Sequence, residues 1–87
     1  MNLIYCHIMN ERDIYSQVVW LKNCIVKRMK KGLEVREDYL ANCSTMGKIT
    51  YAAQKCAAKG GEPYTKDDRK EAAKMTAKYI IDWATKS

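Results

Sequence analysis

The 87-residue sequence contains no phenylalanine, one proline and one histidine. Because 47% of the residues are hydrophobic and proline is scarce, a disordered tail is excluded. The single histidine, His7, has no partner in the sequence that would indicate Ser-His-Asp or Cys-His catalysis. Since phenylalanine is absent, all the aromatic side chains, those of six tyrosines and two tryptophans, carry a polar group. Such rings suit half-exposed positions and interfaces. These absences favour a folded, non-catalytic protein.

Long apolar runs and closely spaced cysteines are also missing. No stretch approaches the roughly 18 apolar residues that a membrane span requires. The apolar start, residues 3–9, lacks a basic region and a cleavage site, so we expect a cytoplasmic protein without a membrane partner. The four cysteines are 18, 19 and 13 residues apart and form no CxxC pair. We therefore expect free thiols, no metal site and no cofactor.

The periodicity of apolar residues predicts an all-α protein, a small bundle of three main helices and one short helix. The length is that of one domain, so residues 1–87 are predicted to form a single helical domain. An apolar N-terminal segment, residues 1–10, is either a short strand or a helical lead-in. The predicted helices span residues 11–31, 35–42, 45–59 and 65–85. Expected helix signals are N-caps at Asn10, Ser44 and Thr65, the last in a capping box with Asp68, and a C-terminal glycine at Gly32.

The net charge of +6 is concentrated near the end of the first long predicted helix. From Trp20 to Lys31 there are five basic residues and no acid. Trp20 lies opposite the apolar face of this helix, which leaves three explanations. It packs under the N-terminal segment, it belongs to a homodimer or partner interface, or it stacks on a nucleic-acid base. The predicted binding patch consists of Trp20, Lys22, Lys27, Arg28, Lys30 and Lys31.

A second basic feature runs along one side of the last predicted helix. Lys66, Lys70, Lys74 and Lys78 recur at every fourth position, where like charges repel by about 0.2–0.5 kcal/mol per pair. Such a stripe indicates an anionic partner, but neighbouring acids in the same helix offset much of the repulsion. We therefore treat the lysine stripe as a secondary candidate for nucleic-acid binding.

These patterns favour a non-catalytic protein-interaction module. We expect it to self-associate as a homo-oligomer, or to bind a protein partner, through the N-terminal apolar segment and the Trp20 face. The alternative is a nucleic-acid-binding protein that uses the basic patch and the lysine stripe. A helix-turn-helix around residues 39–49 is a weaker possibility, because glycine at position 47 falls inside the second helix rather than in the turn. Its recognition helix would offer Lys48, Thr50, Tyr51, Gln54 and Lys55.

Overall fold

The computed structural model describes residues 2–87, and Met1 lies outside the described residues. Over this range the chain forms helices and no strand, which confirms the predicted all-α bundle. The N-terminal segment is helical rather than extended, so the bundle has five helices. They are α1 (Leu3–Asn10), α2 (Arg12–Lys30), α3 (Glu37–Ala41), α4 (Ser44–Lys59) and α5 (Lys66–Thr85).

The apolar N-terminal segment is part of the core. Ile4 and Ile8, one turn apart on α1, are fully buried, and Tyr5 and Met9 pack against the same cluster. Asn2 holds the start of α1, because its side-chain oxygen accepts from the Tyr5 N–H while its amide donates to the Asp68 carbonyl on α5. The expectation that this segment supplies an exposed apolar contact surface is therefore wrong. The chain covers it with α4, α5 and α2.

Two of the four predicted helix-end signals are present in the structure. The predicted capping box is confirmed, since Thr65 and Asp68 exchange side-chain hydrogen bonds with each other's backbone N–H. Gly32 follows α2 with φ of +76°, a conformation that favours glycine, as expected. The other two predicted caps are wrong. Glu11 precedes α2 without a side-chain cap bond, and Cys43, not Ser44, caps α4 through its sulfur.

The core is formed by one face of each helix. Val18 and Ile25 of α2, Met46 and Ile49 of α4, and Ile80 of α5 lie at its centre. Tyr39 is 73% exposed, because the short α3 turns Leu40 into the core instead. Within residues 2–87, no helix is both long and apolar enough to cross a membrane. The α3 helix packs against α5 and α4, and a groove opens on each of its sides.

Candidate functional site

The first groove lies between α2 and the segment that leads into α3. It has a volume of about 610 Å³. We name it the Trp20 groove; its lining residues are Trp20, Leu21, Cys24, Ile25, Arg28, Glu34, Val35, Arg36, Tyr39, Leu40, Cys43 and Thr45. Most of these side chains are apolar or aromatic, and such a lining suits an apolar ligand group.

Trp20 stands at the edge of this groove and is 56% exposed. The helix α1 does not cover it, so the explanation that Trp20 packs under the N-terminal segment is wrong. Nearby in the chain, Leu33 and Tyr39 are also among the exposed large hydrophobic residues. Exposed aromatic rings beside an apolar cleft are typical of protein contact surfaces.

Lys22 does not belong to the same surface as Trp20. Its ammonium group lies 4.6 Å from the centre of the Trp83 ring on α5. Trp83 in turn stacks on Tyr15, with ring centres 6.3 Å apart, and the Tyr15 and Tyr79 hydroxyl oxygens are 2.7 Å apart. The hydrogen bond between Tyr15 and Tyr79, together with burial, raises the pKa of Tyr15 to about 12. Two positions along a helix are separated by about 200°, so Lys22 faces α5 when Trp20 faces the groove.

The remaining basic residues of the predicted patch stay near the end of α2. Arg28 lines the Trp20 groove, while Lys27, Lys30 and Lys31 are exposed. Lys27 and Lys31 follow Trp20 by seven and eleven residues, so they continue the same helical stripe. Trp20, Lys27 and Lys31 thus lie on one stripe of α2. Arg28 and Lys30 lie on either side of that stripe near the C-terminal end of the helix, and Lys22 is separated from it.

The second groove runs between α5 and the α3–α4 corner, with a volume of about 580 Å³. We name it the lysine groove, because Lys66, Lys70 and Lys74 line it; the fourth member of the predicted stripe, Lys78, is exposed outside the lining. Asp38 is the acid in its lining. Within residues 2–87, no stripe lysine forms an ion pair with an acid.

Arg69 is a lining residue of the lysine groove that the stripe pattern missed. Its guanidinium group donates to the Thr50 hydroxyl at 3.3 Å and to the Gly47 carbonyl at 3.4 Å. It also lies 5.9 Å from the centre of the Tyr51 ring. These contacts hold a fourth cation at the groove wall. The missed signal was the i, i+3 spacing of Arg69 from Lys66, which places both on one side of α5.

The helix-turn-helix hypothesis finds little geometric support. The α3 helix has five residues, and Thr50, one of the five side chains expected to face DNA, is buried and donates to the Met46 carbonyl at 3.0 Å. A buried side chain that is already hydrogen-bonded offers nothing to a base edge.

His7 lines neither the Trp20 groove nor the lysine groove. Its imidazole is flanked by the carboxylates of Glu11 and Glu62. Within residues 2–87, the group of side chains that could hold a metal ion is His7, Glu11 and Cys56.

Comparisons with known proteins give no family for this chain: no family model matches it, and neither a curated protein nor a solved structure is similar to it.

Proposed function

We propose that the protein is a non-catalytic interaction module that docks a short segment of a partner protein in the Trp20 groove. The observation that carries this proposal is a 56%-exposed tryptophan at the edge of an apolar groove of about 610 Å³. Tryptophan is a frequent anchor of protein interfaces, where a few buried aromatic groups contribute most of the binding energy. Covering such a ring removes apolar surface from water and favours association by about 25 cal/mol per Å².

The charges around the groove define the chemistry of the partner. Arg28 and Arg36 line it, and Glu34 is the acid among its lining residues. Beyond the groove, Lys27 and Lys31 continue the helical stripe that Trp20 begins. The sequence has no acid between Trp20 and Lys31. The expected ligand is therefore an acidic segment with one large apolar side chain, which fills the groove while carboxylates face the cations.

A second copy of the chain fits this surface less well. In a two-fold symmetric dimer the same patch meets itself, so the basic patch of one copy would pack against the basic patch of the other. The net charge of +6 on each copy adds long-range repulsion. Self-association stays a prediction, but the apolar N-terminal segment that motivated it is buried within the chain.

The test is a selection of random twelve-residue peptides on the immobilised protein, followed by anisotropy titration of labelled winners. We expect peptides with one large apolar residue flanked by Asp or Glu, whose affinity collapses in Trp20→Ala. Tyr64→Ala removes another exposed aromatic ring, which lines neither groove, and serves as the matched control. Peptides that bind the Trp20→Ala variant as tightly as the parent protein would contradict the proposal. So would sedimentation that shows the parent protein as a dimer and the Trp20→Ala variant as a monomer.

A second candidate function, binding of single-stranded nucleic acid in the lysine groove, is favoured by a separate observation. Four cations, Lys66, Arg69, Lys70 and Lys74, line one groove with one acid. Tyr51 is 49% exposed and its ring centre lies 5.9 Å from the groove residue Arg69, so a base that displaces Lys55 from the ring could stack there while phosphates contact the groove cations.

This candidate is tested by anisotropy of a labelled twelve-nucleotide single strand at low salt. The double variant Lys70→Gln/Lys74→Gln removes two groove charges and is expected to weaken binding. The control Lys48→Gln/Lys59→Gln removes two exposed charges of α4 that line neither groove. Equal affinities of the two double variants would show that any binding follows net charge alone.

A further inference from the structure

A cluster of metal-ligating side chains joins the start of the chain to the end of α4. His7 lies on α1, Glu11 lies between α1 and α2, and Cys56 lies in the last turns of α4. One ligand atom from each of the three lies within 4.8 Å of the other two. None of them lines the Trp20 groove or the lysine groove, so the cluster is independent of the proposed function.

The imidazole of His7 is oriented by Glu62. Its Nε2 is 3.0 Å from Oε2 of Glu62, and a carboxylate only accepts, so Nε2 carries the proton of this hydrogen bond. The lone pair of a neutral imidazole is then on Nδ1, which is 3.7 Å from Oε1 of Glu11. A lone pair that faces a carboxylate is repelled unless a positive species stands between them. A metal cation between the two groups satisfies this arrangement.

The backbone explains why Glu62 reaches His7. Gly61 follows α4 with φ of +71°, and the Glu62 N–H donates back to the Ala57 carbonyl at 3.0 Å. This is the glycine-ended helix terminus known as a Schellman motif, which fixes the direction of the chain at Glu62. A histidine that donates one ring N–H to a carboxylate and presents the other nitrogen is the usual arrangement of metal-ligating histidines.

We propose that His7 Nδ1, a Glu11 carboxylate oxygen and Cys56 Sγ bind a zinc ion, with Glu62 as the positioning residue. The mixed nitrogen, sulfur and oxygen set matches zinc, whereas magnesium and calcium take oxygen ligands. Tetrahedral zinc with bonds of about 2.0–2.3 Å requires ligand atoms roughly 3.5 Å apart. The present separations, up to 4.8 Å, close with a side-chain adjustment of about 1 Å, for which the exposed Glu11 is free.

Three protein ligands leave the fourth position of the tetrahedron to water. On binding, the Cys56 thiol releases its proton to solvent and its sulfur forms the bond to zinc, so the overall reaction is zinc plus thiol giving zinc thiolate and a proton. The ion would link the α1–α2 junction to α4 and stabilise the folded chain, because it binds the folded state and not the unfolded one.

Cobalt(II) titration of the reduced full chain tests the proposal, since a thiolate ligand gives cobalt a near-ultraviolet charge-transfer band. We expect this band in the parent protein, its displacement by zinc and its loss in Cys56→Ser. Cys24→Ser, which changes a half-buried thiol of the Trp20 groove, is the matched control and should retain the band. Equal bands in the two variants, or no band in the parent protein, would overturn the site.

Two further variants separate ligation from positioning. Glu11→Gln changes an exposed side chain with no capping hydrogen bond, so it leaves folding intact and should weaken zinc binding at least about tenfold. Glu62→Gln keeps the three ligands and should retain the cobalt band, with zinc affinity lowered by about 10- to 100-fold. Unchanged zinc affinity in both variants would exclude this site even if zinc binds elsewhere. Peptide binding at the Trp20 groove is unaffected by any of these results.

Discussion

The Trp20 groove and the lysine groove lie on the two sides of α3 and differ in chemistry more than in size. Tyr39 and Leu40 line the first, Asp38 and Ala41 line the second, and Cys43 lines both. One side is built around an exposed tryptophan and apolar side chains, and the other around four cations. The contrast shows that a short helix of five residues is enough to separate an apolar surface from a charged one.

This difference predicts that the two grooves respond to different perturbations. Binding driven by apolar burial depends on one anchor and little on salt, whereas binding driven by phosphate contacts spreads over several cations and weakens steeply with salt.

The largest expected effect is that of Trp20→Ala. We expect the affinity for a groove-selected peptide to fall by about 2–4 kcal/mol, or roughly 30- to 1,000-fold, because an interface anchor is removed. The free energy of unfolding should change by no more than about 0.5 kcal/mol, since Trp20 is largely exposed. Oligonucleotide affinity should not change. A parallel loss of both affinities would show that the two grooves are one surface.

Salt dependence should give the next largest contrast. Three to four phosphate contacts in the lysine groove predict an affinity loss of roughly 20- to 50-fold for a single strand between 50 and 200 mM salt. The peptide in the Trp20 groove should lose less over the same range, because salt screens its carboxylate contacts but not its apolar anchor. Anisotropy titrations at both salt concentrations measure this. Equal salt slopes for peptide and oligonucleotide would contradict the proposed division.

Tyr15→Phe tests whether binding and stability are separable. It removes the hydrogen bond to Tyr79 that joins α2 to α5, at a cost of about 1 kcal/mol, and should leave both affinities unchanged. The pKa of Tyr15 is raised from 10.0 to about 12, so an unfolded chain ionises Tyr15 first as the pH rises. The stability from this bond is therefore complete below pH 10.0 and is lost as the pH rises towards 12.

Urea unfolding across this alkaline range measures the effect. The parent protein should lose the Tyr15 contribution as the pH rises, and Tyr15→Phe should lack that component. Lysine titration affects both proteins equally and cancels in the difference. A difference that does not change with pH would show that Tyr15 ionises alike in the folded and unfolded chains.

The smallest predicted effect is that of Gly47→Ala. A Cβ at this position meets nothing within 4 Å, and alanine is favoured over glycine inside a helix by about 0.5–1 kcal/mol. The variant should therefore be more stable by that amount in chemical denaturation. Because Gly47 lines the lysine groove, oligonucleotide affinity should fall if a ligand approaches its backbone closely. Peptide affinity should not respond, which gives a second separation of the grooves.

Local signals along the chain were sufficient to predict α2, α4 and α5. The apolar repeats of three and four residues, the Thr65–Asp68 capping box and Gly32 each act within about four residues of their own position, so sequence neighbours determine them. The bounds of α2, α4 and α5 differ from the predicted ones by one residue at most at either end. The lysine stripe of α5 was predictable for the same reason, since i, i+4 spacing places side chains on one face.

Contacts between distant residues could not be derived in this way. Whether Trp20 is covered depends on where α1 packs. Lys22 does not belong to the predicted patch because its ammonium group lies over the ring of Trp83, 61 positions later in the chain. His7 meets Glu62 and Cys56 because α1 packs on α4 and the glycine-ended terminus of α4 turns the chain back. The sequence by itself determined the three longer helices and the sides on which their charged and apolar groups lie. Packing between helices decided which of those sides stayed open, because it depends on side-chain shapes that meet only in the folded chain.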